Sequence, residues 1–163
     1  MKRLGVVFLC VLSWVHCGQM TIQRDINEGR PMPSVNMLLL DSVSVLNTNS
    51  LSKSEPVILI FFDPYCQYCR SETESILSKI QKFGNTQICF LGVAPISDMN
   101  RFSIKYQLSK YPNIHIGIDT AGTYARYFAV EGVPHTSIFL KNRKAKKIFY
   151  ARVDAEKLID VID

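Results

Sequence analysis

Histidine is scarce: His16, His115 and His135 are the only three in 163 residues, and they are widely separated. The chain also has a single Cys-x-x-Cys. Zinc needs three or four ligands, commonly from a second such pair or from paired histidines. No metal and no cofactor is therefore expected. Lys and Arg are dispersed apart from Lys141 to Lys147. Nucleic-acid binders gather such charge into a stripe among aromatics, so no nucleic-acid partner is expected. Repeats and low-complexity runs are absent, and no apolar run reaches the ~18 residues of a membrane-spanning helix. At 47% hydrophobic and 20% charged the chain reads as globular rather than disordered. Its length suits one domain with a real core.

The first residues look like a targeting signal. Lys2 and Arg3 form a basic start, and Leu4 to Val15 is apolar apart from Gly5 and Ser13. The run ends at Trp14-Val15-His16-Cys17. An apolar segment closing on a cysteine resembles a bacterial lipoprotein signal, which implies lipidation of Cys17. His16 and Trp14 depart from the usual residues there, so ordinary secretion and an uncleaved anchor stay open. Residues 1–16 are assigned to the signal, 17–30 to a polar tether and 31–163 to the folded domain. Loss of Lys2 and Arg3 lowers the formal charge from +5 to +3.

Cys10 leaves with the signal and Cys17 carries lipid in this reading, so Cys66, Cys69 and Cys89 remain. Three cysteines make no even framework. Cys89 sits in an apolar strand-like run, where a free cysteine is a small hydrophobe or a third redox thiol. Cys66-Gln67-Tyr68-Cys69 follows Val57 to Phe62, six apolar residues that read as a buried central strand. Asp63-Pro64 ends that strand. Beyond it, Cys69, Thr73, Ile76, Leu77, Ile80 and Phe83 recur at spacings of three and four, predicting an amphipathic helix over 66–83. Ser71, Glu72 and Glu74 fall on its polar side. Thiols at a helix start gain from the partial positive charge there, which favours a thiolate on the first.

The remaining pattern is a strand pair at 35–46, then strand 87–94, helix 98–109, strand 114–118 and helix 121–128. Strands at 136–140 and 147–152 and a helix at 155–162 complete it. Alternation of strand and helix implies parallel crossovers early on. The short basic turn makes the last two strands antiparallel. The fold class is α/β, a mixed central sheet with helices on both faces.

These motifs together resemble the thioredoxin superfamily, and within it the membrane-tethered thiol–disulfide oxidoreductases of the TlpA/ResA type. Strand, turn, Cys66-x-x-Cys69 and helix carry the likeness, with Gly132-Val133-Pro134 before a later strand. An N-terminal β-hairpin and a helix–strand insertion between Ala94 and Ala121 add to it. The resemblance implies that Cys66 is the nucleophile and Cys69 the resolving thiol. It implies a cis Val133–Pro134 bond whose exposed backbone docks an extended substrate. It further implies protein disulfide substrates, a membrane electron donor for re-reduction, and a lipid anchor holding a monomer at a periplasm-facing membrane. Reduction is favoured over oxidation, but Gln67-Tyr68, with neither the proline of reducing relatives nor the histidine of strong oxidants, leaves the direction open. The alternative is a non-catalytic binding module with a static disulfide. A peroxidase ranks lower, because Asp63 stands three before Cys66 where that family has Thr.

Departures mark the site. Tyr65 replaces the usual Trp before the first cysteine, and Ile60 stands where thioredoxins bury an acid. Asp63 is the nearest acid in sequence, either a turn former or a proton relay. His135 is either strand-start structure or a modulator of the thiolate. The basic run 141–147 reads as a solvated turn or a contact for anionic lipid. Tyr106, Tyr111, Tyr124, Tyr127 and Phe128 read as packing residues.

Overall fold

A computed structural model describes residues 25–163; the signal-like segment and Cys17 lie outside the described residues. Seven strands form one mixed sheet: β1 Asn36–Leu39, β2 Val45–Asn47, β3 Val57–Phe62, β4 Gln87–Gly92, β5 Ile114–Ile118, β6 His135–Phe139 and β7 Ala145–Phe149. Their order across the sheet is β2-β1-β5-β4-β3-β6-β7. β3, β4 and β5 run parallel, whereas β1 and β6 join antiparallel on either side. Every β3 residue except Phe61 is buried, as a six-residue apolar strand demands when both faces are covered.

Among the described residues four helices cover the faces: α1 Gln67–Ser78, α2 Ile96–Tyr106, α3 Thr123–Phe128 and α4 Ala155–Ile162. Strand alternation divides the core. Ile58, Ile60 and Phe62 point to the face carrying α1, α2 and α4, with Phe90, Ile76, Phe102 and Leu158. Val57 and Leu59 point to the other, with Cys89, Leu91, Tyr124 and Phe128. Phe102 of α2 stands 4.9 Å from Phe62, ring centre to ring centre. The insertion helix is thus fixed to the strand that leads into Cys66, and truncation of such a packed ring costs about 3–5 kcal/mol.

The expected helix over 66–83 is two pieces. The α-helix stops at Ser78, Lys79 takes a non-helical conformation, and a 3-10 turn spans Ile80–Phe83. The last strand begins two residues earlier than the alternation suggested. Arg143 adopts φ 57, its N–H bonds Leu140 O, and the tight turn brings Ala145 into the sheet. The basic run is therefore only partly a turn. Arg143 also bonds the carbonyl oxygens of Glu55 and Leu51, each at 3.2 Å, and that of Ser52.

Residues 25–30, read as tether, pack on the domain. Gly29 N–H bonds Ala145 O at 2.7 Å, and Ala145 N–H bonds Arg30 O at 2.8 Å. Asn27 is buried and donates to Tyr150 Oη at 2.9 Å. On the opposite flank Gly117 lets β1 approach β5. A Cβ there would lie 2.3 Å from Leu38 O. Among the described residues no helix is long and apolar enough to cross a membrane.

Candidate active site

The turn after β3 builds the site. Asp63 Oδ1 accepts the Tyr65 N–H at 2.7 Å, and Asp63 O accepts the Cys66 N–H at 3.1 Å. This is turn chemistry of the kind Asp supplies, and it holds Cys66 as the residue that caps α1. Cys66 is half-buried, Cys69 is 2% exposed, and both are free thiols. One turn of helix separates their environments: the outer sulfur is within reach of solvent and the inner one is not.

The Val133–Pro134 bond is cis, and Cys66 Sγ lies 3.8 Å from Val133 O. The topology explains the meeting. β6 is the antiparallel neighbour of β3, with His135 opposite Phe61. The residues just before β6 therefore arrive beside those just after β3. Val133 is half-buried and Gly132 exposed, leaving the loop's backbone open next to the outer sulfur.

Glu72 is the site residue that sequence reasoning placed wrongly. Assigned to the polar side of α1, it is 0% exposed. Its signal was present: Glu72 follows Cys69 by three and precedes Ile76 by four, which puts all three on one buried stripe. Glu72 Oε1 accepts from Thr136 Oγ1 at 2.6 Å and Oε2 accepts the Val153 N–H at 3.1 Å. Burial pushes its carboxyl up to about 7, against these two hydrogen bonds. A buried acid thus stands about one helical turn from Cys69 on α1, while Ile60, the expected place for one, is core.

Cys69 is held well above the usual thiol range. Burial is the main cause, and a hydrogen bond to Cys66 and the charges of Cys66 and Glu72 add to it. The Asp63 backbone N–H opposes the shift and loses. The inner thiol keeps its proton until something removes it.

Of the two readings of His135, the structure has the strand-start one: it opens β6. It follows Pro134 in sequence, but Thr136 faces Glu72, so alternation turns His135 to the opposite side of the sheet. Its Nδ1 meets Tyr124 Oη at 2.8 Å and it is 1% exposed. Burial holds it down to about 4, so it presents no positive charge to the thiols at neutral pH. Cys89 lies on that face too, fully buried, with burial pushing its thiol up to about 12. Tyr65 and Tyr68 are exposed on either side of Cys66.

This architecture, with a Cys-x-x-Cys at the head of α1 opposite a cis-proline loop, is the thioredoxin fold. Solved structures of that fold superpose on most of the chain. A secreted Mycobacterium tuberculosis disulfide oxidoreductase, homologous to Escherichia coli DsbE, is 18% identical with a TM-score of 0.64. The match covers 78% of this chain and 93% of that one. A thiol:disulfide interchange protein from a Bacteroides species is 18% identical with a TM-score of 0.66, covering 82% and 86%. The peroxidoxin BcpB of M. tuberculosis is 15% identical with a TM-score of 0.71, covering 84% and 96%. No protein-family model and no curated protein matches the sequence.

Proposed function

We propose that the protein is a thiol–disulfide oxidoreductase acting on disulfides of exported proteins. The observation that carries this reading is the pairing of a half-exposed Cys66 with a buried Cys69, at 3.8 Å from the open Val133 carbonyl. The Cys66 sulfur bonds to one sulfur of a substrate disulfide, and the other leaves as a thiolate. The Cys69 sulfur then bonds to Cys66 and releases the second thiolate. Two electrons pass from the dithiol to the substrate. The second step needs a base for the Cys69 proton, and we assign that task to Glu72, three residues along the same buried stripe of α1, whose charge acts on Cys69 and whose carboxyl burial raises to about 7. Val133 presents backbone for an extended substrate strand.

Reduction is the favoured direction. Strong oxidants of this class depend on a stabilised reduced state. Here Gln67 and Tyr68 place no histidine or other cation between the cysteines to favour the reduced dithiol. A reductant in an exported, oxidising compartment needs a membrane donor to restore the dithiol. The signal-like N-terminus and a lipid anchor at Cys17 would fit such a location, as does the secreted oxidoreductase among the structural neighbours.

The peroxidoxin likeness is one of fold. Asp63, three before Cys66, has its carboxylate committed to the Tyr65 amide. Against a static disulfide stands the accessibility of Cys66.

A Cys69→Ser variant should accumulate mixed disulfides between Cys66 and substrate proteins. The wild-type couple should show a potential nearer to about −270 mV than to about −120 mV. No adduct and no disulfide reduction would overturn the reading, and a potential at the upper value would reverse its direction.

A further inference from the structure

The insertion helix does more than pack. Pro64 and Tyr65 from the active-site turn, Arg70 from α1, and Asp98, Arg101, Phe102 and Lys105 from α2 line a groove of about 230 Å³. That is below the range of drug-sized ligand pockets, roughly 300–1,000 Å³, and suits a side chain of a larger partner. Its floor is apolar, with Phe102 buried in the core. Its position follows from the sheet order. β6 with Val133 lies on one side of β3, while β4, which leads into α2, lies on the other. Cys66 therefore sits between the open Val133 backbone and this groove.

The charge of the groove is one-sided. Three cations line it against the single carboxylate of Asp98, which is spent on Arg101. Arg101 also donates to Tyr65 Oη at 3.2 Å, tying the exposed ring next to Cys66 to α2. Arg70 donates to the carbonyl oxygens of Pro64 and Tyr65 and pairs with no carboxylate among the described residues. Lys105 likewise has none; it lies 5.1 Å from the Tyr106 ring centre. Glu74, four residues beyond Arg70 on α1, accepts the Tyr106 hydroxyl at 3.0 Å. An arriving carboxylate finds two cations with no carboxylate partner among the described residues and a third paired with Asp98. A lysine finds repulsion.

We infer that this groove, walled by Tyr65, Arg70, Arg101 and Lys105, selects substrates with acidic residues beside the disulfide that Cys66 attacks. The inference rests on the proposed exchange activity and names its substrate class. Tyr65 stacks along the incoming chain, and the cations hold an Asp or Glu side chain a residue or two from the reacting cysteine. Steering of this kind acts on the rate of encounter and is weakened by salt.

The test uses the full chain with Cys69→Ser and two peptides, each carrying one cysteine activated as a mixed disulfide with thionitrobenzoate. Glutamates flank the cysteine in one peptide and lysines in the other. The Cys66 sulfur bonds to the peptide sulfur, and coloured thionitrobenzoate leaves. The acidic peptide should react about tenfold faster at low ionic strength, the ratio falling to about two at high salt. Arg101→Gln with Lys105→Gln should bring the low-salt ratio to about two. Equal rates for both peptides, or a ratio untouched by the double substitution, would overturn the groove's role while leaving exchange intact. If neither peptide reacts, the exchange activity fails and this inference with it.

Discussion

On the face covered by α1, α2 and α4 the sheet buries Cys69 and Glu72; on the face covered by α3 it buries Cys89 and His135. Each face holds a thiol raised by burial and one titratable group pushed toward its neutral form. Only one of them has a half-exposed sulfur at its rim. Desolvation alone does not make chemistry. It becomes useful where a buried acid and a buried thiol lie within two helical turns of a thiol that can be reached.

Exchanging the two cysteine environments is the hardest test of that contrast. Cys66→Ser should remove disulfide exchange, a loss of at least about a thousandfold, because the attacking atom is gone. Cys89→Ala should leave exchange within about twofold while costing about 1 kcal/mol of stability from the vacated core. Insulin reduction and denaturant unfolding read the two effects. Equal loss from both variants would erase the distinction between the faces.

Glu72→Gln probes the acid beside the thiols. Exchange should slow by about a hundredfold in release of the mixed disulfide, since the Cys69 proton loses its acceptor. Formation of that adduct should change little. Rapid-quench measurement separates the steps, and slowing confined to formation would assign Glu72 a different task.

The two faces also respond oppositely to acid. Glu72 is raised from 4.5 to about 7 in the folded chain. Its contribution is therefore fully present below pH 4.5 and lost as pH rises through 7. His135 is lowered from 6.5 to about 4. Its contribution is present above pH 6.5 and lost as pH falls through 4. Each shift corresponds to about 3 kcal/mol, and between pH 4.5 and 6.5 the slopes oppose each other. Glu72→Gln should expose the histidine slope, with stability falling on acidification. His135→Gln should expose the carboxylate slope, with stability rising. Urea titrations across that window check both, and parallel profiles in the two variants would contradict the assignment.

The smallest change is Thr136→Val. Loss of its hydroxyl takes one of two hydrogen bonds from the Glu72 carboxylate. The titration of Glu72 should move up by about one pH unit, visible in the pH dependence of mixed-disulfide release.

The frame of the site was legible in the chain. A run of six apolar residues ending at Asp63-Pro64 gave β3 to the residue, and Gly132-Val133-Pro134 marked the loop that meets it. The two buried titratable groups were not. A glutamate in a helix with serines and lysines defaults to solvent, although its spacing from Cys69 argued otherwise. The direction of His135 depends on the register of β6 against β3, a pairing across 74 positions from Phe61 to His135 that one strand's composition does not reveal. β7 was misplaced because its burial runs in, out, out, in, with a register shift at Ile138/Phe139 that breaks simple alternation. The strap at 25–30 reads as polar linker because its ties are backbone bonds to Ala145 and polar contacts to Tyr150.

That strap has a consequence for strand-to-strand association. It lies along the outer flank of β7 and is held by the Gly29 and Arg30 backbone and by Asp25 and Asn27 at Tyr150. β2, which ends the sheet on the other flank, is only three residues long. A sheet edge left open is a template for another chain. Here one flank is occupied by residues 25–30 and the other is only three residues long, which in the proposed function directs backbone pairing with a foreign strand to the loop beside Cys66.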